Sequence, residues 1–474
     1  MIKHKIAPIV AGLALLGAAC DRTPTVPNLN NPSVDDYSGS LTNDKLGVLL
    51  VGVLSQQRTE VGQRYLSFTT TLGRDVWRMD ASEPRYLTET LESTPARGGF
   101  VGGGIFTDFY VGIRAENNLL AAMNNTPDLT ATQRSLVKGF VETLKGHDLY
   151  RVLETRDTVG IPVAVEDPNT LAPILCKPNA FAAIMTIVNQ GYTDLQAAAA
   201  ADTIPVRLPS GWTTLGGDYR KQPNLIKYNR GVAGKILTYQ AIAGNDAAIA
   251  GQAIAALNLA IGGDTVTAAD LRKGPYFQYS TASGESISPL FDNKLHLNPH
   301  VADSVIATDL RRAKIDSSAG PTGYAQSTDG YNFQTKYDYL YSKVNDPTNQ
   351  TRALRILSTE ELILLRAQAQ VVAGDLVAAT RDVNIVHRLS GGFAIALPTF
   401  ANATAARNAI LYEKRYSLLS EGPQRWVDLR AYGLLNSTSF PLGNSSPYAS
   451  DPFTKAFPIP QAEFDARGGN VSCQ

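Results

Sequence analysis

The chain has 474 residues, with 43 basic and 43 acidic side chains, so its formal net charge is zero. Nucleic-acid phosphates are usually met by clustered Lys and Arg, so this balance predicts no nucleic-acid partner. The hydrophobic fraction of 44% is that of an ordinary globular protein. Beyond the N-terminus, no stretch reaches the roughly 18 uninterrupted apolar residues that a membrane-spanning helix needs.

The N-terminus has the pattern of an export signal. Lys3 and Lys5 precede an unbroken small and apolar run at 9–19, which is too short to span a bilayer. Cys20 follows directly, and this order resembles a bacterial lipobox, in which the cysteine is acylated before cleavage. The sequence therefore predicts a signal peptide at 1–19 and a lipid anchor on Cys20, which would hold the protein at a membrane surface. The alternative is an ordinary secretory signal followed by a chance cysteine.

Export also changes the meaning of the remaining cysteines. Disulfides persist outside the cytoplasm, and acylation of Cys20 leaves an even number, Cys176 and Cys473. One hypothesis is a disulfide that ties the C-terminal tail to residue 176. Two unrelated buried thiols are the alternative.

The rest of the chain divides by composition. Residues 20–40 are rich in Pro, Asn, Ser and Asp, which predicts an irregular tether. Helical periodicity dominates the N-terminal part of the scaffold at 41–261, apart from a loop region at 70–104, and returns in the C-terminal part at 350–474. Between them, 262–349 is rich in Gly, Ser, Asp, Pro and aromatic residues, which predicts an irregular excursion. Loops held on a rigid scaffold are where binding residues usually concentrate.

Two segments share the pattern of helix, Ala-Gly-Asn or Ala-Gly-Asp, and helix. Gly244 and Gly374 are predicted to end the first helix of each pair in the left-handed conformation, and Asn245 and Asp375 to cap the second. Such small-residue hairpins build tetratricopeptide-like arrays, whose repeats need neighbours to bury their faces. The sequence therefore predicts a mainly α fold, with a tetratricopeptide-like helix-pair scaffold and a loop-rich excursion.

The most specific motif is ILYEKRYSLLSEGPQRWVDLRAYG, at 410–433. It resembles the closing signature of the SusD/RagB family, surface lipoproteins that partner TonB-dependent outer-membrane transporters. Ser417 departs from the signature, because the family often has a glutamate there. Other segments resemble the family in the expected order: NLNNP after the anchor, GIPVAVEDP after the early helices, STEELILLRAQAQVVAGD near the end and FPIPQAEFDARGGN last.

The charged residues of this motif alternate in sign around a helix break. Structural ion pairs are far commoner than acid/base dyads, so we predict a network that locks two helices, with Trp426 as its large apolar face. The residues of this predicted network are Glu413, Arg415, Glu421, Gly422, Arg425, Trp426, Asp428 and Arg430.

The resemblance implies a lipid-anchored, surface-exposed protein of the outer membrane that captures oligosaccharides or, in some members, peptides. It also implies a role as the lid of a SusC-like TonB-dependent transporter. A sugar binder needs exposed aromatic faces beside polar side chains. The candidates in the two loop-rich regions are Trp77, Arg78, Tyr86, Tyr276, Phe277, Tyr279 and Tyr331. The alternative for each aromatic residue is that it covers local core.

Motifs for catalysis are missing from the sequence, which has no GxxxxGK[ST], GxGxxG, HExxH or GxSxG pattern. His296 and His300 form a close pair without a third ligand nearby, which favours loop hydrogen bonds over a metal site. We therefore predict a binding protein without catalytic residues, metal or cofactor. Two alternatives stay open: a lipid-anchored enzyme that degrades glycosides or peptides, and a periplasmic tetratricopeptide-like assembly lipoprotein.

Overall fold

A computed structural model describes most of the chain. The described residues are 40–263, 265–317, 323–328, 331–436 and 453–474. The predicted signal peptide, Cys20 and nearly all of the tether therefore lie outside the described residues. Within the described ranges, no helix combines the length and apolar character needed to cross a membrane.

Helices supply most of the structure. The first eight are α1 (Asn43–Glu60), α2 (Gln63–Leu72), α3 (Arg85–Leu87), α4 (Gly104–Ala122), α5 (Ala131–Arg156), α6 (Lys177–Ala197), α7 (Gln222–Gly244) and α8 (Ala247–Ile261). The others are α9 (Pro299–Ser304), α10 (Thr359–Val372), α11 (Leu376–Leu389), α12 (Ala403–Ser417), α13 (Gln424–Ala431) and α14 (Gln461–Ala466). From α4 to α8 each helix packs on the next, α8 packs on α10, and α10 packs on both α11 and α12. This continuous array is the predicted helix-pair scaffold.

The turns of the two predicted hairpins differ in detail. Gly374 adopts φ +83°, and the Asp375 carboxylate accepts a backbone N–H of the first turn of α11 at 2.9 Å, as predicted. In the other hairpin the prediction was wrong by one residue. Asn245, not Gly244, takes the left-handed conformation at φ +47°, and Asp246 caps α8 by accepting two backbone N–H groups. Asparagine tolerates the left-handed conformation and aspartate is a strong N-cap. Both the left-handed residue and the N-cap therefore lie one position later than predicted.

The excursion contains more regular structure than the sequence predicted. The strands of the chain are β1 (Val76–Arg78), β2 (Ile161–Pro162), β3 (Ile174–Leu175), β4 (Tyr276–Phe277), β5 (Leu295–Leu297), β6 (Ile315–Asp316), β7 (Tyr324–Thr328), β8 (Tyr331–Thr335), β9 (Asp338–Tyr339) and β10 (Leu354–Arg355). β1, β5, β9 and β6 form an antiparallel sheet in that order, while β7 and β8 form a hairpin. Because β1 belongs to the loop region 70–104, this sheet fastens that region to the excursion.

The C-terminal motif joins α12 and α13 to distant parts of the chain. The Glu413 carboxylate lies 2.6 Å from the Arg311 guanidinium and 2.8 Å from Nδ1 of His387. Arg311 also donates to the Ser417 hydroxyl at 2.9 Å, so the serine that departs from the family signature still makes a polar contact. On the same helix, Arg415 donates to Asp75 at 2.8 Å, just before β1.

The second half of the motif makes equally specific contacts. Glu421 accepts from Arg355 at 2.5 Å, and Asp428 lies 2.8 Å from the Lys414 ammonium. Arg430 donates to two backbone carbonyls of other segments at 2.7 and 2.8 Å. Burial lowers the pKa of Arg425 to about 10, with the nearby Arg415 as a lesser cause. Trp426 is fully buried, and Gly422, at φ +159°, lies in the break between the two helices.

Cys176 and Cys473 are joined by a disulfide across a sequence separation of 297. The tail is also held by its backbone, since the N–H of Cys176 donates to the carbonyl of Gln474 at 2.9 Å. In turn, the N–H of Gln474 donates to Ile174 at 2.9 Å. The C-terminal tail therefore lies beside β3 at the start of α6.

Candidate functional site

An open depression of about 580 Å³ lies where the two loop-rich regions meet at the four-stranded sheet. We call it the hairpin depression, because β7 forms one of its walls. Its lining residues are Met79, Ala81, Pro84, His296, Gly323, Tyr324, Ala325, Gln326 and Ser327. Concave, mixed polar and apolar sites of this kind are where small ligands usually bind.

One carboxylate positions the two polar rings of the depression. Nδ1 of His296 lies 2.7 Å from Oδ1 of Asp338, and the hydroxyl of Tyr324 donates to Oδ2 at 2.9 Å. The two rings stack with their centroids 3.6 Å apart. Burial and the bond to Asp338 raise the pKa of Tyr324 to about 12, so its hydroxyl stays neutral at physiological pH. His296 is thus a buried, hydrogen-bonded residue of the lining, in line with the prediction of hydrogen bonding for this residue.

Trp77 lies beneath the depression and not on its surface. It is 2% exposed and packs in a small core with Met79, Leu87, Leu91 and Phe333. Its ring meets that of Phe333 edge to face, with the centroids 5.3 Å apart. This burial favours the alternative that Trp77 covers local core, because no ring face is open to a sugar.

Arg78 and Tyr86 are also committed to contacts within the protein. The guanidinium of Arg78 lies 3.8 Å from the centre of the Tyr86 ring. It also makes ion pairs at 3.1 Å with both Asp80 and Asp292. Arg78 is buried and Tyr86 is half-buried, so this pair supports one edge of the loop region.

The other candidate aromatics do not join these residues. Tyr276, Phe277 and Tyr279 line a separate groove beside α1. Phe277 and Tyr279 are buried, and the half-buried Tyr276 donates its hydroxyl to the carbonyl of Arg272 at 2.6 Å. Tyr331 lies in β8, but its side chain is outside the described part of the structure.

Sequence reasoning missed three residues that shape the depression: Tyr324, Asp338 and Met79. The only signal was that Asp338 lies in the aromatic-rich stretch 329–343, while His296 lies elsewhere in the same excursion. Nothing in the sequence indicated that β5 and β9 are neighbours. Among the described residues, no group of three or more His, Cys, Asp or Glu side chains is placed to hold a metal ion.

Comparison with known proteins gives matches in structure alone. No family model matches the chain, and no curated protein matches it in sequence. The structure of B. fragilis NanU aligns with a TM-score of 0.67 at 12% identity, covering 95% of this chain and 98% of that chain. A SusD homolog from Bacteroides thetaiotaomicron aligns with a TM-score of 0.67 at 16% identity, covering 92% and 97%.

A third match carries a ligand. Surface glycan-binding protein A from Bacteroides thetaiotaomicron, in complex with laminarihexaose, aligns with a TM-score of 0.65 at 13% identity, covering 90% of this chain and 98% of that chain. These alignments define the class of fold, a mainly helical scaffold with small sheets. More particularly, the chain has the fold of the SusD superfamily over nearly its whole described length. The fold implied by the sequence resemblance is confirmed.

Proposed function

We propose that this protein captures oligosaccharides at the bacterial cell surface through the hairpin depression. The observation that carries the proposal is the shared fold over 90% of the chain with a surface glycan-binding protein in complex with laminarihexaose. In the same proposal, Cys20 is the lipid anchor in the outer membrane. The protein delivers its ligand, as a lid, to a TonB-dependent transporter.

The chemistry of the depression suits a sugar. Sugars present apolar C–H faces rimmed by hydroxyl groups, so they need apolar and polar contacts side by side. Ala81 and Pro84 supply apolar surface, while Gln326 supplies nitrogen and oxygen atoms. Because Asp338 holds the half-buried Tyr324 ring, that ring meets a ligand without first losing much side-chain freedom.

Binding in the depression is tested with a glycan array followed by isothermal titration calorimetry of the glycan that binds. Ala81 is exposed at the rim, and Ala81→Trp fills the opening without altering the buried contacts below. We expect this variant to weaken binding at least tenfold. The matched control is Ala182→Trp on the exposed face of α6, which should bind as wild type does. Equal affinity of both variants and wild type would place the glycan elsewhere.

The array also separates glycan capture from the alternatives. Binding of a peptide mixture with no glycan binding would favour peptide capture. Release of reducing sugar from the bound glycan would show an enzyme, which the proposal excludes. The purified full-length protein is used for each measurement.

Location and partner need intact cells. Protease treatment of whole cells should digest the protein, because the proposal puts it on the outer face. Protection from the protease would instead favour the periplasmic assembly lipoprotein. Co-purification with a TonB-dependent transporter from solubilised outer membranes tests the partner, and its failure under mild detergent would contradict the lid role.

A further inference from the structure

A second and larger groove, of about 1110 Å³, runs along the outer face of α1. Its other walls are formed by 205–210 and by 276–285, and it shares no lining residue with the hairpin depression. We call it the α1 groove. Lining residues run from Asn43 to Thr59 on the helix, which at 1.5 Å per residue makes the groove about 24 Å long.

Part of the α1 face toward the groove is exposed. Val48 and Val51 are 55% and 38% exposed, although both are apolar. A Cβ added to Gly47 would lie 3.6 Å from Val206, whereas one added to Gly52 would meet nothing within 4 Å. The groove is therefore narrow near Gly47 and open at Gly52.

The opposite wall offers unpaired backbone. Within the part of the chain that the structure describes, neither the N–H groups nor the carbonyls of Val206, Arg207 and Leu208 have a hydrogen-bond partner. Pairing resumes on either side, at Ile204 and Trp212, each with an N–H donating at 2.9 Å. Most backbone groups that leave water are paired, so this run provides donors and acceptors of fixed position beside the groove.

Side chains around the groove also include polar groups without hydrogen-bond partners among the described residues. Oδ1 of Asn43, Nε of Arg58 and the hydroxyl of Tyr279 are buried and have no hydrogen-bond partner within the described ranges. Burial raises the pKa of Tyr279 well above its ordinary value, so the hydroxyl is neutral and both donates and accepts. These three atoms lie behind the surface of the groove. Ser55, Gln278 and Ser280, which are half-buried and line the groove, present polar side chains to a ligand.

The charge of the groove indicates which polar ligand. Arg58 is paired with Glu285 at 2.7 Å, and Asp44 on the helix balances Arg207 on the opposite wall. The lining therefore has no net charge, and an ionic ligand would leave its charge uncompensated. A neutral sugar chain brings hydroxyls that donate and accept, together with C–H faces that pack on Val48 and Val51.

We propose that the α1 groove is a second binding site, for a neutral oligosaccharide, separate from the hairpin depression. This inference rests on the proposed function as a glycan binder. The bound sugar extends from the open part of the groove at Gly52 to the unpaired backbone of Val206–Leu208. Two sites on one chain hold a long glycan at two points, which slows its escape.

The test uses calorimetry with the shortest neutral oligosaccharide that the array identifies, starting with laminarihexaose. Wild type should bind two molecules per chain. Gly52→Trp fills the groove where the structure has open space, and it should bind one molecule, as should Ala81→Trp in the depression. The control Ala182→Trp should keep both sites. With ligand bound, amide hydrogen exchange at Val206, Arg207 and Leu208 should slow at least tenfold.

The outcomes separate the two proposals. One site in wild type, lost in Ala81→Trp and kept in Gly52→Trp, would overturn the groove site and leave glycan capture standing. Glycan binding by wild type without slower exchange at 206–208 would also overturn it. Binding of a casein-peptide mixture that Gly52→Trp abolishes would make the groove a peptide site and contradict the inference. No binding to any glycan on the array would overturn both proposals.

Discussion

Replacement of Trp426 by alanine tests whether the C-terminal motif stabilises the fold. The ring is fully buried, with the Phe457 ring centroid at 5.4 Å and the Arg430 guanidinium at 4.8 Å. Its Nε1 donates to the carbonyl of Thr454 at 2.8 Å. Truncation of a buried Trp to Ala costs about 3–5 kcal/mol, because it removes apolar contact and leaves a cavity. We expect the free energy of unfolding to fall by about that amount.

The assay is equilibrium unfolding in urea, followed by circular dichroism with the disulfide intact. Trp426→Phe is the matched control, since it keeps an aromatic ring but loses the hydrogen bond to Thr454. It should cost about 1 kcal/mol for that bond, plus a smaller packing term. Glycan affinity of the folded Trp426→Ala protein should equal that of wild type, because Trp426 lines neither the hairpin depression nor the α1 groove. An unchanged urea midpoint for Trp426→Ala would refute a stabilising role for the motif.

Three further predictions concern stability. Non-reducing mass spectrometry should find no free thiol at Cys176 or Cys473, and replacing both by serine should lower the free energy of unfolding by about 2–5 kcal/mol. Burial and a nearby carboxylate raise the pKa of Glu142 to about 8. The folded state therefore keeps a proton that the unfolded state loses near pH 4.5, and stability should fall as pH rises from 5 to 8, less steeply in Glu142→Gln. Arg415→Met should lower the free energy of unfolding by about 3–5 kcal/mol, because it removes the ion-pair partner of the buried Asp75. A second change, Asp75→Leu, should restore much of that stability. An unchanged urea midpoint for Arg415→Met alone would contradict this prediction.

The scaffold could be predicted from sequence because its signals are local. Helical spacing and the turn at Gly374 with its neighbouring cap Asp375 both act within a few residues. The charges of the C-terminal motif, in contrast, pair mostly with residues far away in the sequence, such as Asp75 and Arg311. The error at Gly244 shows the limit of such signals, because Asn245 and Asp246 offer the same turn one residue later. Local chemistry therefore identified the helical hairpin but not the exact residues of its turn.

The candidate sites could be predicted only in part. The two loop-rich regions were identified by composition, yet whether Trp77 covers core or faces ligand depends on Phe333, which comes from a remote strand. The same holds for His296, whose partner Asp338 becomes a neighbour only when β5 pairs with β9. Burial and pairing across long separations carry no local signal, so the sequence alone could not show which of the named side chains are buried.

The bond between Cys176 and Cys473 turns almost two thirds of the chain into a covalently closed ring. A single proteolytic cut anywhere inside that ring leaves both fragments attached to each other. A protease that nicks a surface loop inside the ring would thus release no piece of the protein. The same ring means that fragments from a protease experiment must be read on reducing gels, since non-reducing gels would show a nicked chain at its full size.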